Sequence, residues 1–363
     1  MYLKKHSINA IKSYCFNENL YYIKKDTNKN DLFYVDKNYN SLCILSDEDK
    51  FQEVYSIDDI VYVNTLHGKE IVIDNKKIEG FDLYFNVISF EDGQYLAYCM
   101  ERDKVTNQKS TIKFDFRKNK IIWRVDKSSG FNYIGKNQFF ICFIDIIKEL
   151  SIIFCYNKIN GELLWQFDLK ELGTYKDVLS IETPYGFEKF IGEWRGQLFV
   201  GLSESLIVSL DITNGKVINK WDKINPGTTL LFSAEEKLVG LGGIGYWEID
   251  LKTNELTITY LSEELMKQNV RGINDLNIYG VTDAHFFCAA DMKIPDEPDH
   301  HIGAIVAINR QTLKIDWKYV FDDSQGQWTT LSEGPRIDNA KLYQLDSRGT
   351  LHFFEKEVDK IIV

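Results

Sequence analysis

The sequence has 363 residues, 44 % hydrophobic and 14 % aromatic, which excludes wholesale disorder and favours pleated surfaces over helices. A formal charge of −11 at pH 7 excludes nucleic acid as a general partner, because an acidic surface repels phosphate backbones, and favours a basic protein. The N-terminal MYLKKHSINAIKSYCF has no apolar core of signal-peptide length, and the most apolar run, 139–147, is broken by Asp145 and too short to span a bilayer, so neither export by that route nor membrane insertion is expected.

Along the chain one phrase recurs: an alternating apolar segment ending at Asp or Asn, a turn, then a second short apolar segment. It is read in LFYVDKNYNSLCIL, EIVIDNKKIEGF, TIKFDFRKNKIIWRV, IIFCYNKINGELLWQF, LIVSLDITNGKVINKW, YWEIDLKTNELTITYL, AIVAINRQTLKIDWKYV and TLHFFEKEVDKIIV. The anchors are Asp36, Asp74, Asp115, Asn157, Asp211, Asp250, Asn309 and, as the weakest match, Glu355, spaced by about 38 to 59 residues. Alternation places one face of each strand in a sheet-on-sheet core, and the anchor side chain can bond its own backbone to start the turn. Asn40, Asn119, Gly161, Gly215 and Asn254 tolerate the positive φ such turns need. Trp123, Trp165, Trp221 and Trp317, in the second segments, are expected as wedges between neighbouring units. A further strand is expected before each phrase, at 19–25, 60–65, 95–101, 139–145, 197–203, 237–243, 285–291 and 341–347.

Units of this length with four strands each predict one all-β domain, 1–363, folded as a β-propeller of four-stranded antiparallel blades. Eight phrases favour eight blades; seven result if the first or last unit is irregular. The outer strand of the last unit is expected from 360–363 or from residues 2–12. The six cysteines, Cys15, Cys43, Cys99, Cys142, Cys155 and Cys288, show no pairing pattern and sit mostly in apolar runs, which suits a reduced, cytoplasmic setting.

The phrase resembles the repeat of quinoprotein-like propellers, the family of the pyrroloquinoline-quinone-dependent alcohol dehydrogenases, in which an Asp is followed by Thr-Gly and then Trp. Asn157, Asn160, Gly161 and Trp165 match it with Asn for Asp and Asn for Thr; Asp115, Lys118, Asn119 and Trp123 keep the spacing without the Gly, as do Asn309, Thr312, Leu313 and Trp317. Asp211, Asn214 and Gly215 match, with Trp221 two residues too far on. The resemblance implies the fold. It does not extend to the quinone, the metal or the adjacent-cysteine disulfide of those enzymes, since no two cysteines are adjacent here, and no cofactor is expected.

Function is expected where the repeat is interrupted, near 170–196, 262–301 and 321–337. The first stretch carries Tyr185, Trp194 and Arg195, the composition of protein-interface hot spots. The second opens with SEELMKQ, which predicts a short helix capped by Ser262, and ends in DMKIPDEPDHHIG, where Asp296, Glu297 and Asp299 lie close to His300 and His301. Those side chains are of metal-binding type, but Pro295 and Pro298 describe a solvated hairpin tip and no metal is assigned. The third contains Trp328, placed either to stack on a ligand or to plug a junction. The sequence has no nucleophile elbow, P-loop or HExxH motif, and GLGGIG at 240–245 runs into a strand and reads as a tight turn. The function expected is a non-catalytic protein-binding scaffold, monomeric without its partner, in one version an immunity or antitoxin-like protein that captures a basic partner. The alternatives are a propeller hydrolase or lyase acting on a sugar or lactone at the channel mouth, and a carbohydrate-binding module using Trp194, Trp247 or Trp328.

Overall fold

The computed structural model describes residues 2–356 except 18, 26–29, 37, 48–50, 52, 58–59, 65–68, 74–75, 82–83, 92–93, 103–108, 116–117, 119, 129–130, 146–149, 177–178, 277, 295–296, 322–328, 332 and 339, and over much of 57–108 the backbone only. The described residues form eight four-stranded antiparallel sheets and one two-stranded sheet. In chain order the four-stranded sheets span 11–47 (sheet 1), 53–81 (sheet 2), 84–125 (sheet 3), 132–168 (sheet 4), 187–221 (sheet 5), 229–260 (sheet 6) and 270–320 (sheet 7). Sheet 8 joins Arg336–Asp338, Lys341–Leu345 and Leu351–Lys356 to Tyr2–Ile8 from the other end of the chain.

Within each of sheets 1 to 7 the strands lie side by side in sequence order. The expected strands before each phrase are the second strands, and each phrase supplies the third and fourth. The fourth strands alternate exposed and half-buried residues, as in Val217–Trp221, and form the rim. First strands touch one another, between sheets 1 and 2, 4 and 5, and 5 and 6, and so line the centre. Apolar side chains fill the sheet-to-sheet junctions. Phe140, Cys155 and Trp165 of sheet 4 pack on Leu198, Val208 and Leu210 of sheet 5; Val239 and Tyr246 of sheet 6 pack on Phe286 and Val306 of sheet 7. Equivalent clusters join sheets 1 and 2, 3 and 4, 5 and 6, 7 and 8, and 8 and 1. The side chains of the junction between sheets 2 and 3 lie mostly outside the described residues. Molecules of this form, a ring of four-stranded sheets around a channel, are β-propellers.

The described anchor residues other than Glu355 do what the sequence implies, and Asp74 lies outside the described residues. Asp211 accepts the Thr213 N–H at 2.7 Å, Asp250 the N–H groups of Lys252 and Thr253, Asn157 those of Ile159 and Asn160, and Asn309 those of Gln311 and Thr312. Four residues past the anchor, Gly161, Gly215, Asn254 and Leu313 all take positive φ. The strand register slips just before Asp115, Asn157, Asp211 and Asn309, the bulge that such turns produce. Three expectations are corrected. In the first turn Tyr39, not Asn40, has positive φ (65°), because Asp36 closes on Asn40 and the turn is one residue shorter than its counterparts. Glu355 starts no hairpin: it lies in the third strand of sheet 8, whose fourth strand comes from the N-terminal end, and its carboxylate takes the Tyr39 hydroxyl. Ser262 does not cap the helix Ser262–Lys267; Leu261 occupies the cap position without a side-chain bond, and Lys267 pairs with Glu263 at 3.0 Å.

Three tryptophans lock sheets 3, 4 and 5 each to the next. Indole N–H groups of Trp123, Trp165 and Trp221 donate to main-chain oxygens in the following sheet's anchor turn: Lys158 at 3.0 Å, Ile212 at 2.8 Å and Asn254 at 3.1 Å. The indole faces cover the turn glycines so closely that a Cβ on Gly161 would fall 2.9 Å from Trp123, and one on Gly215 2.6 Å from Trp165.

Ring closure rests on sheet 8. Tyr2–Ile8 pairs antiparallel with Leu351–Lys356, in register from Tyr2 opposite Lys356 to Ile8 opposite Leu351. Of the two expected sources for this strand, the N-terminal one supplies it. The hairpin Lys341–Lys356 turns at Asp346, which accepts the N–H groups of Arg348 at 3.0 Å and Thr350 at 2.8 Å and bonds His352 Nε2 at 2.9 Å. Burial raises the Asp346 pKa, but the His352 and main-chain hydrogen bonds outweigh it and hold the carboxyl below its ordinary 3.8. A carboxyl depressed in the folded state stabilises fully above its unfolded value and loses that contribution as pH falls through the folded value. Asp346→Ala is therefore expected to cost about 2 kcal/mol at pH 7, in the range for hydrogen bonds to a charged group, and the gap to the unsubstituted chain should narrow at pH 3 in urea unfolding. A gap independent of pH would contradict the assignment.

Candidate functional site

The structure places the residues singled out by sequence at separate points. Only part of 170–196 interrupts the repeat: its described residues include a 3-10 turn, Leu169–Leu172, and a two-stranded pair, Thr174–Lys176 with Glu182–Pro184, whereas Phe187–Trp194 is the first strand of sheet 5. Tyr185 and Arg195 thus flank opposite ends of one strand. Tyr185 meets Tyr175 at 5.3 Å and packs on the core between sheets 4 and 5. It also lines a groove of about 200 Å³ with Ile144, Leu169 and Pro184. Arg195, in a positive-φ turn, stacks over Trp194 at 4.7 Å and pairs with Glu236 of sheet 6, which also holds Lys252. Trp194 is half-buried against the core of sheets 5 and 6, so the pair ties two sheets together. Glu236 is taken up by that tie.

The stretch 262–301 likewise contains a first strand, Val270–Asp275, and the whole of the second, His285–Ile294. Glu297 and Asp299 lie in its third strand, Glu297–Asn309, with Glu297 opposite Ile294. Asp296 and Trp328 lie outside the described residues. Trp247 is buried, fills the space beside Gly240 and donates its indole N–H to Thr229 at 3.0 Å, so it is no stacking platform. Among the described residues no group of three His, Cys, Asp or Glu side chains is placed to hold a metal.

A cleft of about 550 Å³ opens instead at the ring seam, within the range of small-ligand sites. Its origin lies in the closure. Elsewhere the tryptophan of one sheet is covered by the third-to-fourth turn of the next. In sheet 8 those two strands are opposite parts of the chain and no such turn joins them. Trp317 of sheet 7 therefore lacks that cover and lines the cleft together with Tyr2 and Lys356. Three rings form the floor: Tyr2 and Phe287 meet edge-on at 5.5 Å, Tyr2 and Trp317 at 5.8 Å, and Phe287 and Trp317 at 6.3 Å.

The walls are polar. Asp316 Oδ2 accepts from Asn309 Nδ2 at 2.9 Å and bonds His285 Nε2 at 2.9 Å, and these two contacts hold its pKa below the ordinary carboxylate value. Asp283, in the exposed 282–284 connection, faces the same space. The lining thus carries the Asp283 and Asp316 carboxylates, the Lys356 ammonium and the His285 imidazole. Carboxylates above aromatic faces attract a cation both through charge and through the ring quadrupoles. The Thr282 hydroxyl is engaged with the main chain of His285 at 3.2 and 3.0 Å. Burial pushes the Cys15 and Cys155 thiols up to about 12, which keeps both protonated at neutral pH. Sequence reasoning found Trp317 as a wedge. It missed Asp316, Asp283, His285 and Tyr2, since the cleft exists only where the two ends of the chain meet.

No helix among the described residues is long and apolar enough to cross a membrane. No family model matches the sequence, and no curated protein matches it. Solved structures do. The computationally designed Ika8 protein aligns at 11 % identity over 96 % of both chains with a TM-score of 0.57. BamB from Moraxella catarrhalis aligns at 13 % identity over 98 % of this chain and all of its own, TM-score 0.47. Sqt1 from Saccharomyces cerevisiae, a WD40 propeller, aligns at 10 % identity over 98 % of both chains with a TM-score of 0.55, and at such identity the likeness establishes the β-propeller fold of this chain.

Proposed function

We propose that this chain is a non-catalytic protein-binding propeller, and that it captures a basic partner by taking one of its lysine or arginine side chains into the seam cleft. The observation that carries the reading is the pairing of the Asp283 and Asp316 carboxylates with the Tyr2, Phe287 and Trp317 floor in a cleft of about 550 Å³. A net charge of −11 supports it, since long-range attraction speeds encounter with a basic protein. The partner we infer is a basic toxin or enzyme held inactive by the complex, in the manner of an immunity protein. The chain is a monomer until that partner binds and works in the cytoplasm, where its buried thiols stay reduced.

The reading is tested by calorimetric titration of the full chain with an arginine-rich hexapeptide. Binding should weaken with salt and fall about fivefold in Asp283→Asn and again in Trp317→Ala, because a cation–π contact and a partly exposed ion pair are each worth about 1 kcal/mol. Equal affinity in all three proteins would remove the cleft from the account.

A further inference from the structure

The outer strand of each sheet is an edge, and an edge offers its free N–H and C=O groups to any strand that meets it. Charged side chains blunt such edges, and seven of the eight outer strands carry at least one Lys, Arg, Asp or Glu, such as Lys120 and Arg124 in sheet 3 or Lys4 and Lys5 in sheet 8. The outer strand of sheet 6, Leu256–Tyr260, carries none. Its sequence, LTITY, is an uncharged β-forming run without Gly or Pro, the composition that pairs strand to strand.

The direction of its main-chain groups is fixed by the ladder. Asp250 N–H donates to the Glu255 carbonyl at 3.0 Å and Leu261 N–H to the Ile244 carbonyl at 2.8 Å. Between them the register runs unbroken, from Ile249 opposite Leu256 to Gly245 opposite Tyr260. Antiparallel ladders alternate, so Thr257 and Thr259 turn their N–H and C=O groups to the neighbouring strand, and Leu256, Ile258 and Tyr260 turn theirs outward, where the sheet ends. Ile258 is 38 % exposed and Tyr260 74 %. About Ile258 the strand is close to a palindrome, with a threonine on each side and an apolar residue beyond each threonine.

We propose that Leu256–Tyr260 pairs antiparallel with the same strand of a second copy of this chain, about a two-fold axis at Ile258. Every outward residue then meets an outward residue: Ile258 its own copy, Leu256 the copy's Tyr260, and Tyr260 the copy's Leu256. On one face apolar side chains oppose apolar ones, and on the other Thr257 opposes the copy's Thr259, both favourable cross-strand pairs. The charges match as well. No like charges stand opposite one another, since Glu255, at the end of the strand, falls across from the copy's Leu261. A basic segment in the same place would set its cations against a strand that has no carboxylate. A two-fold contact uses each edge once and stops at the dimer. Pairing through one five-residue strand is small, below about 1,200 Å² in total, so the chain is a monomer when dilute and pairs as its concentration rises. Two chains of charge −11 repel, so salt strengthens this contact, the opposite of its effect on a basic partner. No residue of the strand lines the seam cleft.

The test is sedimentation equilibrium of the full chain from about 5 μM to about 1 mM, at low and moderate salt. The average mass should climb from that of one chain toward that of two, further at the higher salt, and the amides of Leu256, Ile258 and Tyr260 should exchange more slowly as it does. Ile258→Lys and Ile258→Glu should each stay monomeric, because like charges then meet at the axis, and an equimolar mixture of the two should pair. Ile258→Pro removes an N–H that sheet 6 does not use, so it should keep the circular dichroism of the unsubstituted chain and stay monomeric. A mass of one chain throughout, growth beyond two, a mixture that stays monomeric, or pairing that survives Ile258→Pro would each overturn the proposal. The hexapeptide titration, run on dilute chain, reads the seam cleft independently of these results.

Discussion

A chain lacking Tyr2–Ile8 is expected to lose on the order of 5 kcal/mol of stability, with a Tm more than ~10 °C lower or no cooperative transition at all. The strand supplies the fourth member of sheet 8 through six register pairs. Its ladder bonds are worth about 1 kcal/mol each, and uncovering Phe354 while removing the buried Tyr2 costs about 2 kcal/mol per ring. Removal also leaves the Leu351–Lys356 strand as a bare edge, open to pairing with other chains. Circular dichroism melts and light scattering check both effects. A truncated chain that melted at the same temperature would show that the ring is held by other means.

Gly215→Ala is expected to destabilise by about 3 kcal/mol. Its φ of 74° puts an alanine in the left-handed region, at about 1–2 kcal/mol, and the new Cβ would fall 2.6 Å from Trp165 Cε3, a clash whose relief by shifting a packed indole costs about 1–3 kcal/mol. Gly196→Ala is the matched control. Its φ is 77°, but a Cβ there comes no closer than 4.0 Å to a neighbour, Ile212 Cγ2, so only the backbone cost of about 1 kcal/mol is expected. Urea unfolding should show a lower midpoint in Gly215→Ala with an unchanged slope. Equal losses at the two glycines would mean that Trp165 does not press on the turn, and that the sheet-to-sheet lock has been misread.

Those glycines and tryptophans show why so much of the fold was legible. Second, third and fourth strands carry two-residue alternation and an anchor turn whose residue types follow from local bonding, so the phrase exposes them. First strands carry no such signal. Asn132–Ile134 and Arg336–Asp338 are three residues long, and Phe187–Trp194 is broken by two register shifts. Facing the channel, they need no clean apolar alternation, and two were read as parts of insertions. The position of Tyr39 could not be read either, because it depends on a turn shortened by one residue. The sites were less visible still. Trp317 looks like its fellow tryptophans in sequence and differs only because the next sheet has no turn to cover it. The uncharged run Leu256–Tyr260 looks like any other second segment, and its bare edge follows only from its place at the end of sheet 6. Trp194 and Arg195 had the composition of a hot spot, but local packing and Glu236 already engage them.

The most direct test of the functional account is capture from native lysate, with the full chain and a chain carrying Asp283→Asn and Trp317→Ala as paired baits, at low and moderate salt. The account predicts one basic protein bound in stoichiometric amount to the unsubstituted bait, weakened by salt and lost from the doubly substituted one. Capture of the same partner by both baits, or of none by either, would contradict it.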